Sequence, residues 1–88
     1  MTLNKFFKIF KETDSNWNGD NAYKGLMIIA KYLSPMNHEI IAGADHDVIY
    51  SVDVQELIEG GITEEDVEKL ARLNWGIDKE DNYLMCFV

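Results

Sequence analysis

The sequence predicts an α+β domain in which helices pack on one face of a small antiparallel sheet, with elements in the order ααββααβ. Three observations carry that reading. Apolar residues recur every three or four positions up to Leu33, the period falls to near two between Glu39 and Val52, and two helix-start signatures follow back to back before a final apolar run. With 88 residues, 47% of them apolar, the chain has the size and composition of one folded domain rather than of a disordered acidic tail.

Met1–Glu12 places Leu3, Phe6, Phe7 and Phe10 on one side and Lys5, Lys8 and Lys11 on the other, the pattern of a core-packing helix with a solvated lysine face. The polar run Thr13–Gly19 ends that periodicity. Asp20 is a cap for a second helix whose apolar positions Ala22, Leu26, Ile29, Ala30 and Leu33 share one face, flanked by Tyr23 and Met27. Pro35 disfavours helical geometry at Ser34 and should stop this helix near Leu33.

Glu39–Ala44 and Val48–Val52 are short β-branched segments joined by Asp45-His46-Asp47, a hairpin with an acidic tip. Asp53 then starts a short helix as its cap, with Glu56 three residues on and Val52 and Leu57 as the flanking apolar pair; Gly60-Gly61 ends it. The same grammar recurs at once, with Thr63 as cap, Asp66 in the capping-box position and Ile62 and Val67 as the pair. Val67, Leu70, Ala71 and Leu73 form the buried face of that helix and Trp75 follows as a core plug. Asp78–Asn82 is turn-like, and Tyr83–Val88 reads as a last strand, buried on one or both faces and paired with the hairpin.

Charge divides unevenly along this chain. Residues 1–43 carry five lysines against four acids, a net +1, whereas residues 44–88 carry twelve acids against three bases, a net −9. A field of that sign repels phosphate backbones and attracts basic protein surfaces, which argues against direct nucleic-acid binding. Capping and the helix dipole account for Asp53, Glu56, Glu64, Glu65 and Asp66, all in first turns or caps. The other seven acids against three bases still leave a net −4. That remainder either confers solubility or forms a surface whose carboxylates stand in for phosphates in a basic groove. The candidate partner-binding residues are Asp45, Asp47, Glu59, Glu68, Asp78, Glu80 and Asp81, with Glu64 and Glu65 serving both capping and binding.

Asp14-Ser15-Asn16-Trp17-Asn18-Gly19-Asp20 matches the first half of an EF-hand loop, with oxygen ligands at positions one, three and five and the turn glycine at six. Position twelve, which should be a bidentate glutamate, is Gly25, so any calcium binding would be weak and no metal is expected. A polar turn with Asn18-Gly19 at its bend explains the same residues. Trp17 in this loop either folds onto the core or is an exposed anchor for a partner, and it joins the candidate binding residues.

Catalytic constellations are thin. His46 lies between Asp45 and Asp47, but adjacent residues on a turn point different ways and seldom converge on one ion, so a solvated hairpin tip is the better account. His38 stands alone, and Cys86 sits inside an apolar strand where an inert buried thiol is expected. The sequence holds no Gly-rich phosphate loop, no G-x-S-x-G elbow and no paired cysteines. A non-enzymatic protein without cofactor is the expectation. Apolar runs such as Leu26–Ala30 are far shorter than the ~20 residues of a membrane helix, and a single cysteine cannot form an intramolecular disulfide. The expected setting is the cytoplasm.

His46-Asp47-Val48-Ile49-Tyr50, Gly61-Ile62-Thr63-Glu64-Glu65-Asp66, Leu73-Asn74-Trp75, Asp81-Asn82-Tyr83 and the apolar end Met85-Cys86-Phe87-Val88 together resemble small acidic proteins of bacteriophages and mobile elements. The resemblance covers roughly residues 39–88, and such chains often read Gly-Trp where this one has Asn74-Trp75. Several phage proteins of this size and acidity, including anti-CRISPR proteins, occupy a nucleic-acid-binding surface of a host defence complex. What the resemblance implies is an inhibitor of that kind, acting in the host cytoplasm. The alternative expectation is a small structural or regulatory module that self-associates through an apolar patch, told apart by weak salt dependence.

Overall fold

The amphipathic start of the chain forms α1 (Leu3–Glu12), which opens where Thr2 Oγ1 accepts the Lys5 N–H at 3.1 Å. Phe6 and Ile9 are buried, with Leu3, Phe7 and Phe10 packed alongside. Phe6 and Phe10, one turn apart, stack with ring centroids 5.5 Å apart. The computed structural model describes residues 1–15, 19–33, 40–45 and 47–87. Trp17, His38, Glu39 and His46, and with them the centre of the EF-hand-like loop, lie outside the described residues.

In α2 (Asn21–Ala30) the buried face differs from the one expected. Asn21, Gly25 and Ile29 form the buried line, Ala22, Leu26 and Leu33 are half-buried, and Ala30 is exposed. The rotation follows from Trp75. Its indole N–H donates to the Asn21 carbonyl at 2.9 Å, and a Cβ on Gly25 would lie 2.0 Å from its Nε1. Without a Cβ, the helix can rest directly on the indole. The Asn21 amide completes the attachment by donating to the Leu73 carbonyl at 3.0 Å and to Cys86 Sγ at 3.2 Å.

Asp20 precedes α2 but does not cap it. Its φ of 53° is left-handed, not the extended geometry from which a side chain reaches the first-turn N–H groups, and it makes no such bond. The helix ends at Ala30, short of Leu33, and residues 31–33 continue as a turn.

Four strands form one antiparallel sheet among the described residues: β1 (Gly43–Asp45), β2 (Val48–Asp53), β3 (Trp75–Ile77) and β4 (Tyr83–Phe87), in the order β1-β2-β4-β3. With α3 (Val54–Glu59) and α4 (Glu64–Arg72), the chain order is ααββααββ, one strand more than expected. Trp75 is buried as expected of a core plug, yet it also opens that additional strand. The last strand pairs with the hairpin through β2, and β3 takes its other edge. β1 is shorter than the expected Glu39–Ala44. The Ala42 N–H still donates to the Tyr50 carbonyl at 2.8 Å, but the Ile40 carbonyl is taken by the Ser51 hydroxyl instead of a ladder partner.

Both expected helix starts in the second half are present. Asp53 Oδ1 accepts the Glu56 N–H at 2.8 Å and Thr63 Oγ1 the Asp66 N–H at 3.2 Å, bonds of a kind that contribute about 1 kcal/mol each. Gly61, at φ 87°, supplies the left-handed turn after α3. Asn74 is left-handed at φ 65°, a conformation asparagine tolerates after a helix. Asp66 departs from its capping-box role. Its carboxylate accepts from the Tyr32 hydroxyl and pairs with Lys31 Nζ at 2.9 Å, tying α4 to the turn after α2. Val67, Leu70 and Ala71 are buried and Leu73 half-buried, so the expected inner face of α4 is present.

Candidate partner-binding face

Directly opposed residues of antiparallel strands share a face of the sheet. Trp75 opposes Cys86, which opposes Ile49, and Ile77 opposes Leu84; Trp75, Cys86 and Leu84 are buried in the core with the helices. The intervening positions therefore form the other face. There Gly76, Met85, Tyr50 and Gly43 lie in one row across the sheet, and Phe87 and Val48 in the next. Tyr83 joins them by alternation along β4. Tyr50, Tyr83, Met85 and Val48 are half-buried and Phe87 is 57% exposed. Gly43 and Gly76 flank the Tyr50–Met85 pair with no side chain, so the two large groups stand clear at the centre.

Acids bracket this face at both ends. At one end the β3–β4 turn carries Asp78, Glu80 and Asp81. The Asp78 carboxylate accepts the N–H groups of Glu80 and Asp81, each at 3.3 Å, and so shapes the turn. Glu80 and Asp81 are exposed and meet no cation among the described residues. The turn borders a cleft of about 430 Å³ formed by Tyr50 and Tyr83 with Ala42 and Gly43. At the other end Asp47 is exposed beside Val48, and Asp45 closes β1 opposite Val48. Val48 and Asp53 mark the two ends of β2, so the acid groups stand about 16 Å apart at ~3.3 Å per residue.

The remaining candidates belong to the helical layer. Glu64 pairs with Lys5 at 3.0 Å, Glu65 with Lys69 at 3.6 Å and Glu68 with Arg72 at 3.5 Å. Glu59 is the exposed last residue of α3. The acids are thus not one continuous patch. The strands and hairpin turns hold six acids (Asp45, Asp47, Asp53, Asp78, Glu80 and Asp81) against Lys79, a net −5, while the helices with Lys31 hold seven of each sign.

Tyr50, Tyr83, Met85 and Phe87 were not among the sequence candidates. For Tyr83, Met85 and Phe87 the signal was present in Tyr83–Phe87, where both alternating sets are apolar although the described helices cover only one side of the sheet.

Among the described residues three ionisable groups have shifted equilibria, and all act in the scaffold. Burial pushes the Asp66 carboxyl up, but the Tyr32 hydroxyl and the ammonium groups of Lys31 and Lys69 outweigh it and hold the group below its ordinary value. The Asp66 carboxylate in turn raises Lys31. Burial raises the Cys86 thiol, which keeps it protonated. Among the described residues no three His, Cys, Asp or Glu side chains gather where they could hold a metal ion. A cleft of about 610 Å³ between α1 and α4 sets Lys5 and Arg72 against Glu12, Asp14, Glu64 and Glu68, a net −2, and both of its cations are already paired, Lys5 with Glu64 and Arg72 with Glu68. No described helix is long and apolar enough to cross a membrane. Comparison with protein-family models, curated proteins and solved structures found no match to this chain.

Proposed function

We propose that this chain is a non-enzymatic binding domain that docks the open face of its sheet on a basic protein surface, one that otherwise holds nucleic acid. The observation that carries this reading is the bracketing of Tyr50, Tyr83 and Met85 by acidic ends at which Asp47, Glu80 and Asp81 are exposed and meet no cation among the described residues. An apolar, aromatic centre with a charged rim is the anatomy of protein interfaces, and aromatic groups supply much of their binding energy. The acidic rim selects a basic partner and speeds its encounter. A phage-type inhibitor of a host defence complex such as CRISPR, acting in the host cytoplasm, is the setting that the resemblance suggests.

Self-association through the same apolar centre is the second reading, favoured by the exposure of Phe87. Its difficulty is charge. Two copies laid face to face bring acids against acids at both ends, a repulsion that only high salt would relieve.

Pull-down of the tagged protein from bacterial lysate at low and moderate salt tests the proposal. The expected result is recovery of a nucleic-acid-binding complex that is lost at higher salt, on adding DNA, and in either Tyr50→Ser or the Glu80→Lys/Asp81→Lys double variant. Glu64→Gln/Glu65→Gln should bind as the parent does, because those acids already have cations. Binding that survives both the tyrosine and the turn variants, or a dimer that persists at both salts, would overturn the reading.

A further inference from the structure

The helical layer has a groove of opposite character. Met27, Ile28 and Leu73 form an apolar floor between α2 and α4, and Lys24, Lys31, Lys69 and Arg72 line its sides, enclosing about 540 Å³. Half of the chain's eight basic residues line this one groove, and among the described residues no acid does. Met27 is 56% exposed and stands among these cations, so the apolar floor is open to an incoming group.

The cations are available to an incoming ligand to different degrees. Lys24 has no ion partner among the described residues. Lys31 and Lys69 share one carboxylate, Asp66, at 2.9 and 3.8 Å, which leaves that trio with one positive charge. The Lys69–Glu65 and Arg72–Glu68 pairs are exposed contacts between residues four apart, of the kind worth about 0.3–0.5 kcal/mol, and can be redirected at little cost.

We infer that this groove binds an acidic amphipathic helix of a partner protein, separately from the proposed sheet-face site. The spacing of the cations decides among anionic occupants. Lys24 and Lys31 are seven residues apart on one side of α2, about 10 Å along the helix axis, and Lys69 and Arg72 face them from α4. A single-headed amphiphile such as a fatty acid satisfies one end of that array and leaves the other unmatched. A helix with carboxylates seven residues apart meets both ends while its leucine-like residues cover Met27, Ile28 and Leu73. A second copy of this chain fits poorly. Its own acid-bearing helix α4 already turns its apolar residues into the core, and Glu80 and Asp81, which meet no cation among the described residues, sit on a strand turn rather than a helix.

Selection of a displayed library of helix-biased 14-residue peptides on the intact protein tests the inference. Enriched peptides should carry acids at seven-residue spacing beside an apolar stripe. A fluorescein-labelled winner should bind at least tenfold more weakly to Lys24→Glu and to Met27→Gln, with melting temperatures near the parent's, and should bind Glu80→Lys/Asp81→Lys like the parent. That last comparison separates failure here from failure of the sheet-face proposal. Enrichment without excess acid, affinity unchanged in Lys24→Glu, displacement of the peptide by equimolar dodecanoate, or no enrichment at all would overturn the assignment.

Discussion

The acids of α4 and those of the β3–β4 turn are equally dense in sequence and unlike in structure. In Glu64-Glu65-Asp66-Val67-Glu68, every carboxylate meets a cation within 3.6 Å. In Asp78-Lys79-Glu80-Asp81, one carboxylate shapes the turn and the other two meet no cation among the described residues. The difference shows that acid density alone says little about a binding surface. α4 lies between α1 and the turn after α2, which bring Lys5 and Lys31 to it, whereas the turn projects from the end of a sheet whose open face has no helix over it among the described residues.

The helical layer is therefore the side on which substitutions should register as stability. The largest effect is expected where it is fastened to the sheet. Gly25→Ala should cost about 3 kcal/mol, toward the upper end for overpacking, although alanine is the better helix former by about 1 kcal/mol, because the new methyl overlaps the Trp75 indole. Urea denaturation followed by Trp fluorescence measures this. A variant as stable as the parent would mean that α2 does not rest on Trp75.

Asp66→Asn should come next, at about 1.5 kcal/mol, as charge-assisted bonds to Tyr32 and Lys31 become neutral ones. On a domain of this size that corresponds to roughly 6–12 °C in Tm. The same group sets an acid limb. Its pKa in the folded protein lies below the ordinary 3.8, so its contribution is fully present above that value and is lost as pH falls through the folded pKa. Comparing urea midpoints of parent and Asp66→Asn from pH 6 down to pH 2 should show the gap between them closing only below about pH 4. A gap that is constant with pH would remove the ionised Asp66 from the account.

Most of the helical layer was legible because its signals are local. Period, caps and glycines operate within a few residues, and Thr63, Asp53 and Gly61 perform in the structure what their neighbours in sequence imply. Two of the misreadings have a different cause. The rotated face of α2 depends on Trp75, 54 residues away from the Asn21 carbonyl it binds, and Asp66 left its expected capping role for Tyr32, 34 residues back. β3 is three residues long with a central glycine, too short for a period to emerge. The candidate face was half legible. Its acids stood out by composition, but Tyr50 and Tyr83 become neighbours only when β2 and β4 pair, and nothing in a list of charges separates the paired acids of α4 from the unpaired ones of the turn.

The exposed turn offers the counterpart to Asp66. Glu80→Lys/Asp81→Lys removes two like charges from an already acidic end of the sheet and breaks no ion pair among the described residues, so stability should stay within about 0.5 kcal/mol of the parent. A loss comparable to that of Asp66→Asn would make the turn part of the scaffold and weaken the contrast between the two acidic stretches.

The smallest effect should come from the Lys5–Glu64 pair, which sharpens the comparison within α4 itself. At 3.0 Å it is almost as short as the Lys31–Asp66 contact, but its side chains are 49% and 60% exposed whereas that of Asp66 is only 8% exposed. Water competes for both groups, and ordering two long side chains costs entropy. A double-mutant cycle with Lys5→Ala and Glu64→Ala should therefore give a coupling of about 0.2–0.5 kcal/mol, falling with added salt. The single variant Glu64→Ala should lose somewhat more than this coupling, because a carboxylate in the first turn also interacts with the helix dipole whether or not Lys5 is present. A coupling above 1 kcal/mol would mean that contact distance, rather than burial, governs the ion pairs of this layer. Glu64 and Asp66 would then differ in degree only, and the near-neutrality of the helices would be a stability device instead of a consequence of which acids happen to lie within reach of lysines.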